Sequence, residues 1–255
     1  MERLPTSLGR YALAVLAHLG LLVIWYLFVR LGDVPKFVMP SPGATFEALL
    51  SPNYDWWANT LVTGTEIFGG YLLALVVGVV LALVFTWSKT LESLFMPILV
   101  TLNMIPKVAL GPLIIVWFKY GVFPNTIMAF SIAVFPILLT TARGLREIEP
   151  DLLDLVRSLR GSRWQLFVKI QLPGSLPYIF AGMKVAAILA VAGAIVGEFL
   201  GSDKGLGYLM LQVQVTLDTP AMFMAVMLIT LLGMILYGVV LGMERLLVPK
   251  DARVG

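Results

Sequence analysis

Five ionisable residues stand inside long apolar stretches of this sequence: His18, Glu66, Lys107, Lys184 and Glu198, the last near a stretch end. A charge at membrane depth is costly, so each should face protein or water. Glu66 follows the start of its stretch by less than two helical turns, about 9 Å, which leaves an interface within reach. Lys107 and Lys184 have stems long enough to snorkel. His18, a lone imidazole, reads as a helix-packing residue rather than a ligand. Their spacing makes no carboxylate dyad, metal site or proton relay. The chain has no cysteine, which excludes disulfides, thiolate metal sites and a cysteine nucleophile. No catalytic constellation emerges, and the chain does not read as an enzyme.

A second group of polar residues is more organised. Ala142 to Pro177 carries Arg143, Arg146, Arg157, Arg160, Arg163 and Lys169. Pro150 suits a helix start. Leu152, Leu153, Leu155, Val156 and Leu159 then share one helical face, with Asp151, Asp154, Arg157 and Ser158 opposite. The helix should stop near Gly161. Ser162 and Gln165 form a capping-box pattern for a second short helix, with Trp164, Phe167, Val168 and Ile170 on its apolar side. The product is a helix–turn–helix with an exposed elbow from Ser158 to Trp164. An elbow of this kind either docks on another protein or lies on anionic lipid through its arginines.

The elements that must position these residues are membrane spans. The chain has 255 residues, of which 59% are hydrophobic and 13% charged, about half the usual charge. Its mean hydropathy is +0.93. Six apolar segments are marked: Tyr11 to Leu31, Thr60 to Trp87, Phe95 to Phe118, Thr126 to Thr141, Tyr178 to Leu200 and Ala221 to Leu247. Most approach the roughly 20 residues that cross a bilayer. Pro106 and Pro112 predict a kink or break in the third. The first follows Arg3 and Arg10, like a signal peptide, but is too long and lacks a cleavage site, so it reads as a retained anchor.

With the N-terminus in the cytoplasm, twelve basic residues fall inside, against Arg30, Lys36, Lys119 and Lys204 outside. This positive-inside bias puts both termini in the cytoplasm. The outer stretch from Gly32 to Asn59 reads as a Pro/Gly/Ser-rich linker with a short helix at Thr45 to Leu50. The expected division is therefore 1–59, anchor and linker, and 60–255, a membrane domain carrying the loop 142–177.

Small residues mark helix packing in lipid. The second segment has Gly70, Ala74, Gly78 and Ala82 at four-residue steps. In the fifth they spread over more than one face, so Ala186, Ala190, Gly193, Ala194, Gly197 and Glu198 are expected to line a pathway.

The stretch from Asp154 to Arg160, continued by Ile170-Gln171-Leu172-Pro173, resembles the loop signature of binding-protein-dependent ABC importer permeases, E-A-A-x3-G-x9-I-x-L-P. Flanking text agrees: Ile105 to Leu113, Trp117-Phe118, Phe135-Pro136-Ile137-Leu138, Gly197-Glu198-Phe199-Leu200-Gly201 and Gly205-Leu206-Gly207-Tyr208. Together these resemble the nitrate, sulfonate, taurine and thiamine-precursor branch, from about Thr60 to the C-terminus. Three departures stand out. Asp154-Leu155-Val156 replaces the signature's Glu-Ala-Ala, and Lys119 follows Trp117-Phe118 where glycine is usual. Arg160 occupies the signature's glycine position with Gly161 one place later, which predicts either an elbow that turns one residue late or a salt bridge made by Arg160.

The resemblance implies an all-α integral membrane protein of about six spans, a methionine-importer-like (MetI-like) permease bundle in the bacterial inner membrane. It implies an ATP-binding-cassette ATPase subunit docked on the elbow residues Asp154, Arg157, Ser158, Leu159, Arg160, Gly161, Ser162 and Trp164. It further implies a second copy of the chain, surrounding lipid and an extracytoplasmic solute-binding protein, with no nucleic acid. ATP and Mg would sit in the ATPase subunit, leaving this chain without cofactor or metal. The solute would be small and polar, with the motifs after the fifth segment leaning toward riboflavin or a thiamine pyrimidine over sulfonate, taurine or nitrate. An ion-coupled secondary transporter is the rival. It predicts midplane charges and inverted repeats, and neither is visible.

Overall fold

The computed structural model describes residues 7–147, 152, 154, 156 and 158–249. The described residues are almost all helical and contain no strand. In order, the helices are α1 (Ser7–Leu31), α2 (Pro42–Ala48), α3 (Trp56–Trp87), α4 (Lys89–Met104), α5 (Lys107–Phe118), α6 (Val122–Gly144), α7 (Arg163–Leu166), α8 (Leu172–Gly201), α9 (Leu206–Val215) and α10 (Thr219–Leu247). A 3-10 turn at Pro52–Tyr54 precedes α3, and a π-helical turn at Phe167–Gln171 joins α7 to α8.

Four helical stretches are long and apolar enough to cross a membrane: Pro52–Trp87, Val122–Gly144, Arg163–Gly201 and Thr219–Leu247. The expected third span is two helices, α4 and α5, bent by 87°. The break falls at Ile105 and Pro106, while Pro97 and Pro112 sit inside their helices. Lys107 Nζ returns to the Leu102 carbonyl across the break at 2.9 Å, rather than snorkelling outward. α4 starts earlier than expected because the Ser88 hydroxyl accepts the Leu91 amide at 3.3 Å, an N-cap.

The chain divides into two compact units. One comprises Met1–Trp56 with Leu209–Met227. In it, the linker after α1 is held by hydrogen bonds both near and far in sequence. Ser41 caps α2 with Pro42 in its first turn, so the helix starts three residues before the expected position. The Trp25 indole donates to the Pro40 carbonyl at 3.0 Å, and the Thr219 hydroxyl to the Phe37 carbonyl at 2.7 Å. His18 is exposed on α1 rather than buried in packing.

The other unit, Trp57–Tyr208 with Leu228–Gly255, holds the main core. Ile67, Tyr71 and Ala74 of α3 meet Ala129, Ala133 and Ile137 of α6 and the small residues of α8, with Leu236 and Val240 of α10. Helix α6 is gripped on two sides. A Cβ at Gly70 of α3 would lie 2.5 Å from the Ala129 Cβ, and one at Gly193 of α8 would lie 2.7 Å from the Ala129 Cα. Backbones this close need glycine, which is the packing device available in lipid.

Candidate functional site

At one end of this unit the chain forms the elbow. Residues 152, 154, 156 and 158 are helical, whereas Arg157 lies outside the described residues, as do Asp151, Leu153 and Leu155. Arg160 then takes φ +52°, and the Gly161 amide donates to the Val156 carbonyl at 2.8 Å. This is a left-handed helix stop of the Schellman kind with Arg160 at its turning residue. The chain therefore turns at the signature's glycine position, and not one residue late. Ser162 and Gln165 complete a reciprocal capping box: the Gln165 amide donates to Ser162 Oγ at 3.2 Å, and the Ser162 amide to Gln165 Oε1 at 2.8 Å.

The elbow is exposed at its tip and anchored at its root. Asp154, Ser158, Arg160, Gly161 and Ser162 are exposed, and so are two large apolar side chains, Leu159 at 73% and Trp164 at 64%. Phe167, three residues on, is buried among Ala82 and Phe85 of α3 and Leu138, Ala142 and Leu145 of α6 and its end. Its ring stands 5.5 Å from that of Trp87 and 5.7 Å from that of Trp164. Gln171 donates to the Leu145 carbonyl at 3.3 Å. Arg146 pairs with Glu92 of α4 at 2.6 Å and reaches the Phe85 carbonyl at 3.4 Å. The root of the elbow is thus packed through an aromatic ring against the ends of α3 and α6.

The six residues expected to line a pathway are on the packing side of α8. Ala186, Ala190, Gly193, Ala194, Gly197 and Glu198 are all buried within this one chain. Gly197 abuts Asn125 of α6, where a Cβ would lie 3.0 Å from the Asn125 Cα. The surface of these six residues is thus taken up by packing within this one chain. The exposed side of α8 carries Val185, Ile188, Ala192 and Phe199.

At the end of the unit away from the elbow lies a polar knot that sequence spacing did not expose. Glu66 of α3 and Glu198 of α8 are 0% and 1% exposed, and their carboxyl groups adjoin. Glu66 therefore does not reach an interface, and the two do form a carboxyl pair. Asn125 Nδ2 donates to Glu66 Oε1 at 2.9 Å, and the Thr63 hydroxyl to Glu198 Oε1 at 2.5 Å. The amides of Gly207 and Tyr208, at the start of α9, both donate to Glu198 Oε2. Thr63 Oγ1 accepts the Leu206 amide and Asn59 Oδ1 the Gly205 amide, each at 2.8 Å. Lys184 is also not a snorkelling residue: its ammonium meets the buried Glu244 of α10 at 3.1 Å. Among the described residues no group of His, Asp and Glu is arranged to hold a metal ion.

Residues 74–250 match the family of binding-protein-dependent transport system inner membrane components, and the chain belongs to that family. It is similar to a probable ABC transporter permease of Haemophilus influenzae, 35% identical over 85% of this chain and 89% of the other. The riboflavin transport system permease RibX of Chloroflexus aurantiacus is 36% identical, over 91% of this chain and 87% of its own. The formylaminopyrimidine transport permease ThiX of Halalkalibacterium halodurans is 30% identical, over 92% and 94%. The solved inward-facing methionine ABC transporter MetNI shares the fold, with a TM-score of 0.58 over 75% of this chain and 98% of its own at 18% identity. The chain is accordingly the permease subunit of an ABC importer, multi-pass in the inner membrane and without catalytic activity of its own.

Proposed function

We propose that the elbow from Asp154 to Trp164 is the docking surface for the importer's ATPase subunit, and that this chain carries a small heterocyclic solute handed over by an extracytoplasmic binding protein. The observation that carries the first part is the exposed Leu159 and Trp164 beside the buried Phe167. A cytoplasmic loop with no protein partner has no reason to hold two large apolar side chains in an ordered, capped turn. When ATP and Mg draw two ATPase subunits together, the elbows of two copies of this chain follow as rigid bodies, and Phe167 passes the motion to the spans. Both termini lie in the cytoplasm on this reading, and solute moves between the two copies. The leaning toward a flavin or pyrimidine solute is supported by similarity to permeases named for riboflavin and formylaminopyrimidine.

The elbow is tested by Leu159→Glu and Ser158→Glu in the assembled transporter. Expected are normal amounts of permease in the membrane, with loss of ATPase co-purification and of uptake. If both variants keep ATPase and uptake, the elbow lies on lipid and the docking reading fails. The solute is tested by uptake of labelled riboflavin, formylaminopyrimidine and taurine into vesicles supplied with the cognate binding protein. Uptake of taurine and of neither heterocycle would reject the heterocycle reading.

A further inference from the structure

We propose that Glu66 and Glu198 bind one proton between them, and that this acid–carboxylate pair is a latch holding the Gly205–Tyr208 turn against α3, α6 and α8.

The argument is a count of donors. Glu198 receives the Thr63 hydroxyl on one oxygen and the Gly207 and Tyr208 amides on the other. All three are donors, which is the environment of a carboxylate, an acceptor at both oxygens. The two amides also belong to the first turn of α9, where unpaired N–H groups favour negative charge. Glu66 differs. Its Oε1 accepts from Asn125, but its Oε2 is buried and receives no donor among the described residues. Its carboxyl nonetheless touches that of Glu198. Two acceptor oxygens cannot bond unless a hydrogen lies between them, and the atom without a donor is where it belongs.

Charge leads to the same count. Two carboxylates in contact at low dielectric cannot both be ionised without a cation. Among the described residues no Lys or Arg forms an ion pair with either. Lys184 is bonded to Glu244 instead, and Asp203 and Lys204 stand on the exposed turn. Asn125 from α6 and Thr63 from α3 are neutral. One proton leaves the pair with a single negative charge, spread over the three donors at Glu198.

The turn is shaped for the pair. Gly205 holds φ +109°, and any Cβ there would overlap the Glu198 carboxyl; one at Gly207 would come within 2.7 Å of Glu198 Oε2. The carboxylate is thus enclosed by backbone that a side chain would push away.

The test is infrared spectroscopy on the full chain in lipid nanodiscs at neutral pH. Expected is the carbonyl stretch of a protonated carboxylic acid. Glu66→Gln should abolish it while leaving the melting temperature unchanged, because the amide still accepts from Asn125 and donates to Glu198. Glu244→Gln should leave the band intact. Should Glu66→Gln fail to accumulate, Asn125→Ala decides: removing the donor on the Glu66 carbonyl must move the band. Absence of a protonated-acid band, its survival in Glu66→Gln, or its indifference to Asn125→Ala would each overturn the proposal.

Discussion

Arg160 and Lys119 hold φ angles of 52° and 63°, in the left-handed region that costs an L-residue roughly 1–2 kcal/mol. Both stand where the pattern that the sequence resembles carries glycine, and both take a backbone conformation that glycine adopts without strain. Glycine would relieve the local clash and return part of that in unfolded-chain entropy. Arg160→Gly should therefore stabilise the purified permease by about 1 kcal/mol, raising its melting temperature by about 2–4 °C. An unchanged or lower value would mean that the arginine makes compensating contacts. That the turn would tolerate arginine was not legible in the sequence, because a helix stop is imposed by the hydrogen bond from Gly161 to Val156 and not by residue type. The Ser162–Gln165 capping box was legible, since both its bonds span three residues. The carboxyl pair was not, for the opposite reason. Thr63 and Glu198 are separated by 135 positions, and no local period links α3, α6 and α8 at that depth.

The break at Pro106 and the long spans follow from helix length and proline chemistry, which act within one element. Which face of an element meets which neighbour does not. The small residues of α8 suit both a pathway and a tight helix contact, and the structure commits them to α6. Gly193 lies against the Ala129 backbone, so no rotamer of a larger residue fits there. Overpacking of this kind costs about 1–3 kcal/mol or more, and here backbone rather than a flexible side chain is in the way. Gly193→Leu should fail to accumulate as folded permease in membranes, whereas Ile188→Trp, on the exposed side of the same helix, should accumulate normally. Quantifying the detergent-extractable, monodisperse fraction of each separates the two. Equal recovery of both would mean that α6 and α8 part more readily than their contact implies.

Across the molecule, the question left by an 87° bend is whether α4 and α5 cross the membrane or dip in and return. The cluster at the root of the elbow answers it. Phe85 near the end of α3, Leu145 just past α6 and Phe167 beyond the elbow pack together, so these ends share one side of the membrane. Helices α3 and α6 are each long enough to span, and each runs toward that side. The segment between them must therefore carry the chain back across, bend included. Counting it with the four long stretches makes five crossings among the described residues; a sixth by α1, as the sequence reading expects, would bring both termini to one side. Because the chain has no cysteine, single introduced cysteines report sidedness cleanly. In intact cells an impermeant thiol reagent should label Lys36→Cys and Tyr120→Cys, and should reach Ser162→Cys after the membrane is opened. Labelling of Ser162→Cys in intact cells would reverse the orientation. Protection of Tyr120→Cys alongside labelling of Lys36→Cys would show that the bent pair does not cross, and the five crossings would fall to four.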